Sequence, residues 1–357
     1  MHACRANHRS ISHTDLMTAL PQPQIAVLGA GLVGRRHIDL LRQSHQLSAI
    51  IDPAPEAATL AAECGVPHYE ALDPGLEQAR PDGLINATPN QLHRETTVTA
   101  LRAGVPVLVE KPIASNTADA AAMVDVSDET GVALLVGHHR RHNPLIARAK
   151  SLIESGELGA LQVVHGQCWL YKPADYFDVA WRRQGGAGPV FINLIHDVDL
   201  LRYLCGEVTS VTALHSQHGR GYDVEESAGA LLRFANGAIG TLSVTDNVPA
   251  PWSWELSAHE NPAYPATDGF CYLIGGDKGS LSLPDFNHWH YGDHPPGWWA
   301  PIERTRYPMS LEDPLRRQIA HFSRVIRGEE APLVSGREGL ETLRVIEQIK
   351  SSAAQNP

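Results

Sequence analysis

The sequence predicts two units in series: an α/β unit on a parallel sheet, then an α+β unit on an open, mostly antiparallel sheet. Three observations predict this. From residue 25 to residue 136 short apolar runs alternate with helical stretches, as in a parallel sheet covered on both faces. From residue 208 strand-like runs follow one another without helices between them, and Asn236-Gly237 joins two of them as a hairpin turn. A chain of 357 residues is long enough for two such units, each with its own core.

The elements follow in order. The run Ile25-Ala26-Val27-Leu28 stops at Gly29-Ala30-Gly31-Leu32-Val33-Gly34, a helical pattern follows, and a second apolar run over 47–51 closes on Asp52. Residues 56–64 read as an alanine-rich helix, 84–88 as a buried strand, 92–103 as a helix and 105–109 as a strand ending in Glu110-Lys111-Pro112. A helix over 117–130 and a strand over 133–136 complete the first unit, assigned to residues 21–143. The second unit, 144–357, opens with a helix over 145–155, a strand over 161–170 and one helix over 190–204. Strands are expected over 208–214, 228–234, 238–244 and 252–258. The stretch 261–299, rich in Pro, Gly, His and aromatics, reads as loops with one short hairpin around Gly275-Gly276. Asp313-Pro314 supplies an N-cap and a first-turn proline, and Ser335-Gly336-Arg337-Glu338 is a capping box before a helix over 340–349. Residues 1–20 are polar, lack the apolar core of a signal peptide, and are expected to be a disordered extension.

Composition narrows the function classes. A net charge of −11 without any Lys/Arg-rich run argues against a nucleic-acid partner. No apolar stretch approaches the ~18 residues of a membrane span. Five cysteines, odd in number and without C-x-x-C, suit the reduced thiols of a cytoplasm better than a disulfide framework.

The glycine turn carries the first chemistry. Gly29 permits a tight turn, Gly31 lets backbone approach a pyrophosphate, and Gly34 lets the helix pack close to its strand. The helix start at Leu32 and Val33 offers free N–H groups and a positive dipole end to phosphates. Asp52 falls at about the 20-residue spacing of the acid that grips a ribose 2′-OH. A carboxylate there would repel a 2′-phosphate, and Pro53-Ala54-Pro55 supplies no arginine to receive one, so the cofactor is read as NAD.

Ligands of parallel sheets bind outside the carboxyl ends of the strands, which selects Thr88-Pro89-Asn90, Glu110-Lys111-Pro112 and residues 138–143. Lys111 there can hold a substrate oxygen and stabilise alkoxide character. His196 suits removal of a hydroxyl proton near neutral pH, and Asn193 shares its helical face. Trp169, Tyr171, Lys172, Tyr176, Trp181 and Arg182 cluster before Gly185-Gly186-Ala187-Gly188-Pro189 and are expected to line a pocket, where aromatic faces suit sugar C–H surfaces. Arg140, Arg141 and Arg183, with Lys172 and Arg182, hint at an anionic substrate group. No metal is expected, since neither His138-His139-Arg140-Arg141-His142 nor His288, His290 and His294 follow a zinc spacing.

These residues together resemble the Gfo/Idh/MocA oxidoreductases, the glucose–fructose oxidoreductase and inositol dehydrogenase group. The matching pieces are the glycine turn, Ala87-Thr88-Pro89-Asn90-Gln91-Leu92-His93, Glu110-Lys111-Pro112, Arg140-Arg141-His142-Asn143-Pro144, and Gly185-Gly186 leading to His196-Asp197-Val198-Asp199-Leu200. The resemblance runs from about Gln24 nearly to the end. It implies an N-terminal Rossmann domain and a substrate domain whose open sheet pairs subunits into a homodimer or homotetramer. It implies a tightly held nicotinamide cofactor, contacted by Thr88, Asn90, His93, Glu110 and Lys111. Lys111 matches the family lysine on the substrate oxygen, in a Lys-Pro bond that can be cis, and His196 matches the catalytic histidine, with Asp197 beside it on the substrate side. Many members carry an aspartate four residues before that histidine as a relay partner; here the position is Ile192, with Asn193 next to it.

The expected function is NAD-dependent hydride transfer from a secondary alcohol of a sugar, sugar derivative or cyclic polyol. Two alternatives stand beside it: a redox-neutral glycoside hydrolase or lyase that uses NAD transiently, and a non-catalytic dinucleotide sensor. Net NADH production separates the first from the second, and cofactor binding without turnover marks the third.

Overall fold

The computed structural model describes residues 22–217, 219–308 and 312–355, so the extension expected over 1–20 lies outside the described residues. The first unit runs β1 (Ile25–Leu28), α1 (Leu32–Gln43), β2 (Leu47–Ile51), α2 (Pro55–Cys64), β3 (His68–Tyr69), α3 (Leu72–Ala79), β4 (Gly83–Asn86), α4 (His93–Arg102), β5 (Val107–Val109), α5 (Thr117–Thr130) and β6 (Leu134–Val136). All its strand pairs are parallel, in the order β3-β2-β1-β4-β5-β6. The order reverses between β1 and β4, which opens a crevice at their carboxyl ends, where β1 runs into the glycine turn. Every residue of β1, β4, β5 and β6 is buried, as a sheet covered on both faces requires. The two-residue β3 and the helix α3, which contains Pro74 and Gly75, carried too little pattern to be read from sequence.

The second unit holds α6 (Pro144–Glu154), β7 (Leu161–Trp169), α7 (Pro189–Ile192), α8 (Leu194–Cys205), β8 (Val208–Ser216), β9 (Ser227–Phe234), β10 (Ile239–Thr245), α9 (Trp254–Ser257), β11 (Tyr272–Gly276), β12 (Gly279–Leu283), β13 (Asn287–His290), β14 (Glu303–Arg306), α10 (Pro314–Ile326) and α11 (Gly336–Gln355). Its sheet has the order β14-β13-β12-β11-β7-β10-β9-β8, and only β7 with β10 is a parallel pair. Along β9 buried residues alternate with exposed or half-exposed ones, so one face packs on helices and the other lies open. Val163, Leu214, Leu231, Ile239 and Leu273 stand exposed on the sheet.

Four expectations are corrected. The helix expected over 190–204 is broken at Asn193, because the His196 N–H bonds to the Asn193 carbonyl, three residues back, rather than to Ile192. The strand expected over 252–258 is the short helix α9, because the Ser253 hydroxyl accepts from the Leu256 N–H and caps a helical turn. The region 261–299 holds three strands; Gly275-Gly276 end β11, and the hairpin turns at Asp277-Lys278, where the Asp277 carboxylate accepts from the Ala160 N–H. Half of the capping box forms: Ser335 Oγ accepts from the Glu338 N–H, but the Glu338 carboxylate turns instead to Arg141 and Arg202.

The last two helices return to the first unit. Ile319, Phe322 and Val325 of α10 share a core with Ile25, Val27 and Ile85, and Ser335 bridges to Leu135 beside β6.

Candidate active site

The glycine turn shows which glycines the chain itself demands. A Cβ on Gly29, whose φ is +93°, would lie 2.6 Å from the Ala87 carbonyl oxygen, and one on Gly34 would lie 1.9 Å from the Gly29 oxygen. A Cβ on Gly31 would meet nothing within 4 Å. Two glycines are therefore required by packing, and the middle one faces open space. The first main-chain bond of α1 is Arg35 N–H to Gly31 at 2.8 Å, so the N–H groups of Leu32, Val33 and Gly34 have no intrahelical acceptor. Leu32 is 91% exposed at that open end. The Asp52 carboxylate accepts from Ala30 N–H at 2.7 Å and Ala54 N–H at 2.8 Å, which fixes it over the turn. Unfilled N–H groups, room above Gly31 and a positioned carboxylate fit the pyrophosphate and ribose of a dinucleotide.

The loop after β5 is tied to that turn. Glu110 Oε1 lies 2.7 Å from His37 Nε2 on α1, and its other oxygen accepts from the Lys111 N–H at 3.2 Å. Burial alone would raise the Glu110 carboxyl, but His37, together with His139 and Lys111, outweighs it and brings the pKa down to about 2. His93, expected to touch the cofactor, is buried with its two ring nitrogens 2.9 Å from the carbonyls of Pro112 and Thr88. Its ring therefore lies between these two loops, and its single N–H can donate to one of the two carbonyls. Thr88 in turn donates its hydroxyl to Asn86 Oδ1 at 2.8 Å, and Asn90 follows, half-buried, at the carboxyl end of β4. The Lys111-Pro112 bond is cis.

Lys111 reaches the break in the second unit's helix. The carbonyl of Ile192, left free by the break, accepts from Lys111 Nζ at 3.5 Å. Next to it, Asn193 Oδ1 and His196 Nδ1 are buried without a hydrogen-bond partner. Buried polar atoms are nearly always paired, so two orphans beside an ammonium mark a place for a polar ligand. Burial holds the Lys111 pKa below the usual lysine range; Glu110 opposes this, while Arg140 and Lys172 reinforce it. Burial likewise holds His196 well below the usual histidine range, with the charges of Lys111 and Arg140 adding to the effect, so the ring is neutral at pH 7.

A charged layer supports this group from behind. Arg140 donates to Glu255 at 2.5 Å and Asp197 at 3.3 Å, and the Tyr272 hydroxyl donates to the same Asp197 oxygen. Arg141 holds Asp199 through two bonds of 2.8 and 2.9 Å and pairs with Glu338 at 2.9 Å. Two expected substrate contacts are corrected here: Arg141 and Asp197 are sealed in the interior with these partners, and both spend their charge there. Trp169 is corrected too. Strand residues alternate faces, so Trp169 shares the open face with Val163 and His165, and its indole donates to Ser243 on β10. Helix α8 packs on the opposite face, where Gly166 meets Leu201.

The remaining expected pocket residues do gather between β7 and α7. Arg182 stacks 4.2 Å from the Tyr176 ring centroid, and Lys172 Nζ lies 4.9 Å from the same centroid and 3.2 Å from Asp246. Tyr171 and Trp181 stand about half exposed beside them. Sequence reading missed Glu255 and Glu260, hidden in the segment taken for strand and loop; the Ser253-x-x-Leu256 cap was the available signal. It placed His138 and His139 in a strand-end ligand stretch and weighed them as metal candidates, but gave neither a role beside His196, whose ring lies 6.1 and 5.4 Å from theirs. Among the described residues no three His, Cys, Asp or Glu side chains converge as metal ligands, and no helix is long and apolar enough to cross a membrane.

Comparison with known proteins agrees with this fold. Residues 24–138 match the model of an oxidoreductase family with an NAD-binding Rossmann fold, and residues 146–282 match the GFO/IDH/MocA C-terminal domain. The chain is 32% identical over 236 residues to 4-carboxy-2-hydroxymuconate-6-semialdehyde dehydrogenase of Sphingobium sp., covering 64% of this chain and 73% of that one. It is 28% identical to the NAD-dependent scyllo-inositol 2-dehydrogenase of Bacillus subtilis, covering 91% and 92% of the two chains. Among solved structures, the WlbA dehydrogenase of Bordetella pertussis, in complex with NADH and UDP-GlcNAcA, superposes with a TM-score of 0.75 at 27% identity, over 94% of this chain and 98% of that one.

Proposed function

The chain belongs to the GFO/IDH/MocA family of NAD-binding oxidoreductases, and from that premise we propose that it oxidises a secondary alcohol of a sugar, sugar derivative or cyclic polyol. The observation that carries this reading is the meeting of Lys111 Nζ with the broken turn that bears Asn193 and His196, at the carboxyl end of the parallel sheet. When bound, NAD supplies the hydride acceptor. Lys111 holds the reacting oxygen and stabilises its negative charge as the alcohol becomes a carbonyl. Neutral His196 takes the hydroxyl proton. Asn193 orients the hydroxyl through its unpaired Oδ1. Gly29, Gly31, Gly34 and Asp52, with the N–H groups of Leu32, Val33 and Gly34, hold the dinucleotide, and Thr88, Asn90 and Glu110 shape the nicotinamide end. Tyr171, Lys172, Tyr176, Trp181 and Arg182 form the substrate wall; Lys172 is paired with Asp246, so Arg182 is the cation in it that suits an anionic substrate group.

We assign residues 21–143 to cofactor binding and 144–357 to substrate binding and self-association through the open sheet face. The free, unpaired thiols of Cys64, Cys168, Cys205 and Cys271 support placement in a reducing compartment, the cytoplasm.

The test is nicotinamide absorbance of protein and NAD mixed with a panel of sugars, polyols and sugar acids. A substrate-dependent rise is expected, and Lys111→Ala should lower it by at least the ~10²-fold typical of a lost oxyanion contact. No rise with any alcohol would overturn the dehydrogenase reading. Release of sugar from glycosides by the same protein would then establish redox-neutral cleavage, which the apolar Ile192 one turn before His196 favours.

A further inference from the structure

His196 has no carboxylate of its own. Asp197 is taken by Arg140 and Tyr272, and Asp199 by Arg141 and Thr342. A buried base whose Nδ1 is unpartnered, flanked by Lys111 and Arg140, has no local means of stabilising the proton it takes. Two further imidazoles flank it. His138 is sealed, 1% exposed, both ring nitrogens lack a hydrogen bond, and its nearest carboxylate oxygen, on Asp199, is 4.0 Å away. His139 differs in each respect. Its ring lies closer to His196, at 5.4 Å and 70°, its side chain is about a quarter exposed, and its Nε2 is 3.5 Å from Glu260 Oε1. Glu260 is itself positioned by Asn143 Nδ2 at 2.9 Å, and the neighbouring His139 and Arg140 bring its pKa down to about 2 against the effect of burial.

We propose that His139 and Glu260 form the route by which the proton taken by His196 leaves the site. This deepens, and rests on, the reading of His196 as the base. In the oxidation the carbinol carbon gives up hydrogen with its electron pair to NAD, and the hydroxyl oxygen gives up a proton to His196. That proton crosses to the His139 ring through one water or a substrate hydroxyl, a gap the ring separation allows. The Glu260 carboxylate stabilises the resulting imidazolium, and the exposed side of His139 delivers the proton to solvent. The overall balance is alcohol plus NAD⁺ giving carbonyl, NADH and one proton. His139 and Glu260 are positioning and relay residues; neither holds the reacting oxygen. The groups facing the two rings are Lys111, Arg140, His138, Glu110 and His142, besides Glu260.

Two measurements test this. The first needs no substrate: the histidine ring nitrogens of the protein are followed by NMR through a pH titration. His139→Gln should raise the His196 pKa, because the neighbouring His139 ring is one of the groups that lower it. A His196 curve in His139→Gln that superimposes on wild type would show the rings do not sense each other and would overturn the route. The second uses a turned-over substrate. Glu260→Gln keeps the shape and the acceptor oxygen for Asn143, so folding is preserved. It should lower kcat about tenfold, a share of the ~10²–10⁴ of general acid–base catalysis, and move the acid limb of the kcat profile. KM for NAD should not change. An unmoved profile overturns the relay while leaving the dehydrogenase reading intact. Absence of turnover in wild type strikes that reading, and the relay with it, whereas the NMR titration overturns the relay alone.

Discussion

Each residue of the site is held by a bond that leaves one function free. Asp52 has two of its lone-pair sites filled by Ala30 and Ala54 N–H groups, which aims the carboxylate without exhausting it. Asp52→Asn keeps the shape and removes the charge. It should weaken NAD binding about tenfold, the worth of a charge-assisted hydrogen bond, and should narrow the preference for NAD over NADP. Calorimetric titration with both cofactors checks this; unchanged affinities would remove Asp52 from the site. The motifs made Lys111 and His196 visible, because both sit in short contiguous stretches. Glu255 and Glu260 were not visible, because their significance comes from Arg140 and His139, which lie more than a hundred residues earlier.

At the scale of elements, two local departures from regularity build the site. One is the glycine turn, where Gly34 lets α1 lie against the turn it leaves. Gly34→Ala would force its methyl into the Gly29 carbonyl, which cannot yield without opening the turn. A loss of about 1–3 kcal/mol is expected, as for overpacking, together with weakened NAD binding, measured by denaturant unfolding with and without NAD. Stability and affinity equal to wild type would refute the close approach. The other departure is the break at Asn193. Periodicity over 190–204 is continuous, so sequence reads one helix. The break becomes worthwhile only once Lys111 is present to take the freed Ile192 carbonyl. Trp169 shows the same limit on the sheet: its place in the chain suggests the pocket, while the pleat sends it to the other face.

The whole molecule buries several histidines and carboxylates, and its pH stability follows. His142 and His138 are pushed down to about 3 and about 4, mainly by burial, from an ordinary 6.5, and His93 and His196 are also lowered. As pH falls below 6.5 the unfolded chain binds protons at these four sites more readily than the folded protein does, so stability falls as pH falls. Asp197, raised by burial to about 6 from 3.8, works the other way, since its contribution is lost as pH rises through 6. Four groups outweigh one. Below pH 4.5, Glu110 and Glu260, both held near 2, add to the acid loss. Scanning calorimetry from pH 7 to pH 4 should show Tm falling steadily; a flat or rising Tm would contradict this set of burials. Self-association belongs to the same scale. Leu231, half exposed on β9, lies on the open sheet face. Leu231→Asp should shift the protein to monomer in sedimentation, and a wild-type protein already monomeric would dismiss pairing through that face.

The sequence by itself determined the parallel sheet, the glycine turn, Asp52, and the stretches carrying Lys111 and His196. It could do so because a strand buried on both faces, a phosphate-ready turn and a strand-end lysine are set by contiguous residues and short spacings. Only the tertiary structure decided which polar groups remain free. Arg141 and Asp197 sit in motifs yet are consumed by Asp199, Glu338, Arg140 and Tyr272, and His93 is buried between two carbonyls. The return of α10 and α11 to the first unit was likewise invisible, since their apolar faces specify burial but not against which sheet. A charge's availability depends on partners brought together across the fold, and one-dimensional spacing carries no record of them.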